Sequence, residues 1–382
     1  MKVALVHDYL IEYGGAERVL EALHEIYPDA PIYTAYYNLD LLGPHKERVK
    51  KWDLRSSWLQ NMPLARKLIS PFRIFAPAIF EGFDLKEYDL VISSCNTYFS
   101  KAVITRQDAL HLSYIHTPPR YLYGYTTSFN YKKHWYTRVV GELMNHFLRI
   151  YDFETSQRPD ILIANSKNIQ KRISKFYRRD SVVIYPPVDT HSVILASNAR
   201  PESRKYYLSL SRLIRGKGVE TTVAACTKLG LPLKVAGSGK ELANLKKIAG
   251  KSIEFLGHVN DDKRVEFLAN AKALIVASED EDFGITAVEA MAAGTPVIAI
   301  KTGGFLETVI EGKTGEFFNP LDQPRDHKSY IEQETVGNLI KVLESFNPSK
   351  YKVEDLRKQA EKFSKERFKK EILDLVNKNL SS

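Results

Sequence analysis

The chain of 382 residues carries only two cysteines, Cys95 and Cys226. A disulfide framework is excluded, and the two thiols read as small buried apolar groups in a reducing compartment. No segment approaches the ~20 apolar residues that span a bilayer. The first apolar run, Val3 to Val6, stops at His7-Asp8 and reads as a strand rather than a signal core. Internal repeats and low-complexity tracts are absent from the sequence. Acid is in deficit, with 46 Asp and Glu against 55 Lys and Arg, a formal net charge of +9. That balance favours acidic partners: nucleotide diphosphates, anionic lipid or nucleic acid. The basic residues are scattered and no nucleic-acid-binding motif accompanies them, so nucleic acid is not expected. The expectation is a cytoplasmic protein, soluble or held at the inner face of a membrane from one side.

What is present is material for two cores, with 44% hydrophobic and 11% aromatic residues. Short strand-forming runs alternate with helix-forming ones throughout. The strand candidates are Lys2 to His7, Pro31 to Tyr36, Leu90 to Ser93, Leu110 to Ile115 and Ile161 to Asn165, then Tyr206 to Leu210, Leu233 to Ala236, Ile253 to Leu256, Ala273 to Ala277 and Val297 to Ile300. This is the βαβ rhythm of parallel α/β sheets. The polar stretch Asn198 to Ser203, with Pro201, marks a boundary. The expected division is 1–198, 199–360 and a closing helix, 361–382. The closing segment, Lys350 to Asn379, places Leu356, Phe363, Phe368, Ile372 and Leu375 on or near one helical face.

The densest chemistry lies in Ser278 to Ala299. A strand runs into the acid cluster Glu279-Asp280-Glu281-Asp282, followed by Phe283-Gly284 and a helix that stops at Gly294 and Pro296. Strand, turn, glycine, helix is how α/β proteins bring a ligand to a helix N-terminus. Gly284, Ile285 and Thr286 would offer backbone amides there. An anion at Glu289, near the same helix start, would repel phosphate and is better suited to accept from hydroxyls. The plain alternative makes Glu281 and Glu289 helix-start acids, worth only ~0.3–1 kcal/mol.

A basic turn, Ser211-Arg212-Leu213-Ile214-Arg215-Gly216-Lys217, follows another strand. Arginine offers a planar fork and lysine a point charge, both suited to a diphosphate leaving group. The alternative is a solvated basic turn. Three glycine turns accompany it: Gly237-Ser238-Gly239, Gly257-His258 and Thr302-Gly303-Gly304. Near the start, Tyr13-Gly14-Gly15-Ala16-Glu17 opens a helix, either as a close approach to an anion or sugar or as a structural turn. His116-Thr117-Pro118-Pro119-Arg120-Tyr121 ends another strand, with the prolines stiffening the turn after the histidine. Arg120 and Tyr121 suit an acceptor or phosphate; His116 alone is equally a satisfied structural group.

Together these motifs resemble the retaining glycosyltransferases of family 4, through Glu281-x7-Glu289 with Phe283-Gly284 and the trailing Glu-Ala-Met-Ala-x-Gly-x-Pro-Val-Ile. The His-Thr-Pro-x-Arg-Tyr element is closest to the mannosyltransferase-like branch of O-antigen and exopolysaccharide synthesis, with Pro119 where that branch has methionine. The resemblance implies a GT-B fold: two Rossmann-like doubly wound domains facing a cleft, the last helix crossing back to the first domain. It implies that Gly14-Gly15 lie over the donor phosphates and that His116 lies against the donor sugar. Arg212 and Lys217 would hold the diphosphate, Glu281 the transferred sugar, Glu289 the ribose, and the backbone at Gly257-His258 the base. It further implies a nucleotide diphosphate sugar, best GDP-mannose, as donor, a glycan or lipid-linked acceptor, and no metal or other cofactor. Three rivals share the sequence: a metal-dependent transferase using Asp280-x-Asp282, a sugar-nucleotide epimerase or phosphorylase-like enzyme of the same fold, and a nucleic-acid binder. Finally, Lys46 to Phe80 mixes basic residues with Trp52, Trp58, Leu59, Leu64, Leu68, Phe72 and Phe75 and has few acids. It reads either as a surface for anionic membrane or as a core-packed helix pair with a basic face.

Overall fold

A computed structural model describes residues 1–63, 71–125, 135–197, 204–320 and 328–380. The chain divides into two compact units, Met1–Pro187 with Glu366–Ser382, and Val188–Lys365. Residues 198–203, where the sequence suggests a boundary, lie outside the described residues. The helix just before them, Thr190–Ala196, belongs to the second unit.

In the first unit the described strands are β1 (Val3–His7), β2 (Ile32–Thr34), β3 (Leu54–Ser56), β4 (Leu90–Cys95), β5 (Leu110–Ile115), β6 (Ile161–Ala164) and β7 (Val182–Val183). They form one parallel sheet in the order β3-β2-β1-β4-β5-β6-β7. β4 and β5 are buried almost along their whole length, as parallel strands covered on both faces must be. One core layer contains Val19, Leu20 and Leu23 of helix Gly15–Ile26 together with Leu5, Ile92 and Tyr114. The other contains Val6, Phe80, Val91, Tyr98 and Phe99.

The second unit repeats the plan with β8 (Tyr206–Leu210), β9 (Leu233–Ala236), β10 (Ile253–Gly257), β11 (Ala271–Val276), β12 (Val297–Ile300) and β13 (Gly315–Phe318). Their order, β10-β9-β8-β11-β12-β13, is again parallel throughout. In both sheets the order reverses beside the first strand, next to β1 and next to β8. The reversal opens a topological switch point, where α/β sheets bind ligands outside the carboxyl ends of the strands.

The closing segment differs from the single amphipathic face expected. It is two helices, Val353–Glu361 and Lys365–Leu380. Leu356 and Phe363 are buried in the second unit, where the Phe363 ring stands 5.2 Å from Phe283. Phe368, Ile372 and Val376 enter the core of the first unit. The break at Ser364 separates the two sets.

Among the described residues, Lys46 to Phe80 shows no pair of long helices. Its described parts are a helical turn, β3 and two short 3-10 segments, ending in helix Ala76–Phe80. Leu59 is buried, Trp52 packs on His24, and Trp58 is 44% exposed with its ring beside Phe75. Residues 64–70 and the side chain of Phe72 lie outside the described residues. No helix among the described residues is long and apolar enough to cross a membrane.

Candidate functional site

At the carboxyl ends of the second sheet, consecutive loops are stitched side by side. The Gly237 N–H donates to Gly257 O at 2.7 Å, Ser211 N–H to Ala236 O at 3.2 Å, Leu213 N–H to Ser238 O at 2.9 Å and Glu241 N–H to Leu213 O at 3.0 Å. Ser278 Oγ donates to Gly216 O at 3.2 Å, and Gly304 N–H to Glu281 O at 2.9 Å. The turns after β8, β9, β10, β11 and β12 thus make one continuous rim.

Several glycines in that rim, Gly218, Gly237, Gly239, Gly303 and Gly304 among them, sit where a Cβ would clash with neighbouring backbone. A Cβ on Gly218, which sits at φ +64°, would lie 2.1 Å from Ala277 O. One on Gly304 would lie 2.3 Å from Phe283 Cα. These contacts press the basic turn against the end of β11. Gly284, at φ +93°, then starts helix Ile285–Ala292, whose first amides, Ile285 and Thr286, have no acceptor within the helix.

The switch point between β8 and β11 is where the two sequence motifs meet. Lys217 Nζ lies 2.8 Å from Glu281 Oε2. Their side chains keep 23% and 22% exposure, so the pair is reachable from solvent. Lys217 comes from the loop after β8 and Glu281 from the loop after β11. Arg212, in the same loop as Lys217, is exposed, as is His258 after β10. Phe283 is buried against Phe363. Burial, with Asp280 next to it, pushes the neighbouring Glu279 carboxyl up.

Glu289 is placed elsewhere. It is buried, and its Oε1 lies 3.3 Å from Nη2 of Arg264, which also reaches Asp261 Oδ1 at 3.2 Å. Arg264 stands on helix Asp261–Ala269, which begins just beyond Gly257-His258. The two glutamates of the spaced pair therefore face different cations. Arg264 carries no motif in the sequence that marks it as the partner of Glu289.

In the first unit Gly14 caps helix Gly15–Ile26, and its N–H donates to Glu17 Oε2 at 2.8 Å. Glu17 Oε1 lies 3.6 Å from His7 Nε2. His7 Nδ1 is 3.1 Å from Ser94 Oγ, which is 2.9 Å from His116 Nε2. Burial, reinforced by His7, holds the His116 imidazole down to about 4, so it is neutral at neutral pH. Burial alone would raise the Glu17 carboxyl, but the His7 contact and the Gly14 amide bring it below its usual range. Thr117 accepts from Arg172 Nη1 at 3.4 Å, which ties down the proline turn. Arg120 is half-buried; Tyr121 lies under the Arg73 guanidinium, 4.7 Å from the ring, and burial raises its phenol. Of the site residues read from the sequence, His116, Gly14, Gly15, Arg120 and Tyr121 are in the first unit and the others in the second.

Among the described residues no group of three His, Cys, Asp or Glu side chains could hold a metal ion. The second-unit rim can do something else. It offers an ammonium, a guanidinium and helix-start amides to an anion, and a carboxylate to hydroxyls.

Residues 192–334 match the family described as Glycosyl transferases group 1. That segment lies within the second unit and contains Arg212, Lys217, Glu281 and Glu289. Over 230 residues the chain is 26% identical to an alpha-1,3/1,6-mannosyltransferase of Dictyostelium discoideum, covering 48% of this chain and 55% of that one. The chain spans about half the length of the first curated relatives it matches. Solved structures share the fold. Sucrose-phosphate synthase from Thermosynechococcus elongatus superposes with a TM-score of 0.69 at 17% identity, covering 100% of both chains. The HepE protein of Anabaena in complex with UDP-glucose gives 0.65 at 19% identity, covering 99% of this chain and 100% of that one.

Proposed function

We propose that the protein is a retaining glycosyltransferase that moves a hexose from a nucleotide diphosphate sugar to a glycan or lipid-linked acceptor in cell-surface polysaccharide synthesis. The observation that carries this reading is the Lys217–Glu281 pair at the second unit's switch point, inside the group 1 segment. Departure of a nucleoside diphosphate builds negative charge on the leaving oxygens. Lys217 and Arg212 face that charge as fixed cations, and the amides of Ile285 and Thr286 add the helix dipole. Donor binding exchanges the Glu281 contact of Lys217 for phosphate and frees Glu281 to accept from sugar hydroxyls. Glu289, oriented by Arg264, accepts from the ribose. The turn at Gly257-His258 lies beside the base, and His116 is the first unit's group for the sugar.

No side chain is assigned as a covalent nucleophile. The departing phosphate takes the acceptor's proton as the new glycosidic bond forms on the face the leaving group vacates, which retains the anomeric configuration. The protein's tasks are then positioning and charge stabilisation. GDP-mannose is the proposed donor, supported by the mannosyltransferase among the relatives, and UDP-sugars come next. No metal is assigned a role, and contact with an anionic membrane surface would bring the enzyme to a lipid-linked acceptor.

A thermal-shift screen against GDP-, UDP-, ADP- and dTDP-sugars tests this. At about 100 times its Kd, a true donor adds ~2.7 kcal/mol of stability. The expected result is a clear shift with one base and an α-linked product from an α-linked donor by NMR. Indifference to all four, or a product of inverted configuration, would overturn the reading.

A further inference from the structure

The polar chain under His116 is longer than a structural histidine needs. Glu17, His7 and Ser94 stand in line behind it, and all four residues are nearly or completely buried. Four separate elements supply them: the first helix, β1, β4 and the turn after β5. His7 and Ser94 are direct partners in the β1–β4 register. His116 extends the β5 edge, with its N–H donating to Cys95 O at 2.9 Å.

Proton counting then restricts the chain. Ser94 has one hydroxyl hydrogen and lies between two imidazole nitrogens, His7 Nδ1 at 3.1 Å and His116 Nε2 at 2.9 Å. It can donate to only one of them, so the other ring must donate to it. The Glu17 carboxylate, already accepting from Gly14, faces His7 Nε2 at 3.6 Å, too long for a hydrogen bond but close enough for its charge to favour a proton on that nitrogen. In the neutral form of His7, that favours its single proton on Nε2 and leaves Nδ1 bare. Ser94 donates to Nδ1, and His116 must bring a proton on Nε2. His116 Nδ1 is left as a hydrogen-bond acceptor.

We propose that Glu17, His7 and Ser94 are positioning residues that fix the tautomer of His116, so that its Nδ1 presents a lone pair to a substrate hydroxyl. The relay is a property of the fold; it rests on the glycosyltransferase reading only for the substrate that Nδ1 meets. Neutral His116 is consistent with it, since a proton on Nδ1 would turn that acceptor into a donor. A purely structural histidine would need one partner and would tolerate either tautomer.

The test is NMR of the full chain labelled with ¹⁵N in its histidine rings, with resonances assigned through His7→Asn and His116→Asn. The wild type should show His116 protonated at Nε2 and bare at Nδ1. Ser94→Ala should give a mixture of tautomers, and Ser94→Thr, which keeps the hydroxyl, should restore one. Glu17→Gln should also mix them, because the amide can donate to His7 Nε2 and reverse the chain. In transfer assays Ser94→Ala and Glu17→Gln should lower kcat about 10-fold to 100-fold while KM for the donor moves less than about threefold. An unchanged His116 spectrum in folded Ser94→Ala or Glu17→Gln protein would overturn the relay. A spectrum that responds in a protein that transfers no sugar would uphold the relay and remove the functional reading instead.

Discussion

The two units have the same strand order around their switch points and use charge in opposite ways. At the mouth of the first sheet, Asp8 is buried and accepts from four backbone amides, those of Asn96, Thr97, Tyr98 and Ser100, at 2.6–2.9 Å. Deeper in that unit Lys101 and Asp152 are fully buried against each other, with the Tyr123 hydroxyl donating to Asp152 at 2.7 Å. At the second mouth, Lys217 and Glu281 are only partly buried. In the first unit, then, the anion-binding turn after β4 is filled by the protein's own carboxylate. In the second, charges are left within reach of solvent. Duplicated topology supplies the mouth; the placement of a few charges decides whether it closes on itself or receives a ligand.

Four experiments sharpen that contrast. The largest effect is expected from Lys101→Met, which strands the Asp152 charge in a dry site. It should lower unfolding free energy by about 3–5 kcal/mol in urea titration, whereas Lys217→Ala, at a partly exposed pair, should cost less than about 1 kcal/mol. Equal losses would erase the distinction between a buried and a reachable charge.

Lys217→Ala should instead lower turnover by about 10²–10³, the scale seen when one donor to developing charge is removed. A loss below roughly threefold would end its role.

The third concerns pH. His111 and His116 are held down by burial, to about 3 and about 4, from an ordinary 6.5. Both are neutral in the fold, so the unfolded chain takes up protons first. Their contribution is complete above pH 6.5 and is lost as pH falls towards 4. For His116 it amounts to about 3 kcal/mol. The urea midpoint should fall over that window, and His111→Asn should flatten the fall. A flat profile in the wild type would show that the rings are not buried as described.

The smallest expected effect is from Gly218→Ala. A left-handed backbone and a contact with Ala277 O should together cost about 1–3 kcal/mol and displace Lys217. Unchanged turnover in a folded variant would show that the close approach does not set the lysine.

Much of the alternation of strands can be read along the chain, because parallel strands buried on both faces need short, mostly apolar runs. Tyr206–Leu210, Leu233–Ala236 and Val297–Ile300 fall where those runs fall. Strands without such runs do not announce themselves. Leu54–Ser56 has an arginine at its centre, Val182–Val183 is two residues long, and Gly315–Phe318 opens on glycine. The closing helices looked continuous because helical periodicity carries across Ser364 without showing that the partners change.

The site was legible where it is local. Gly284, the acid cluster and the basic turn are each contiguous motifs, and the structure joins Lys217 to Glu281. It was illegible where contacts depend on sheet register. His7 and Ser94 meet because β1 and β4 are neighbours, 87 positions apart in sequence. Arg264 meets Glu289 across two helices. In between stands Ser166, whose Oγ accepts from the Ile169 N–H at 3.1 Å and caps the helix that follows β6.

The central claim is that the second unit's mouth grips a nucleotide diphosphate through Lys217. Calorimetric titration of the full chain with GDP-mannose and UDP-glucose, repeated on Lys217→Ala, tests it most directly. The account predicts one site for one of the two donors and at least about tenfold weaker binding in the variant, a loss of ~1.4 kcal/mol or more. Binding of equal strength in both proteins, or of neither donor to the wild type, would contradict it.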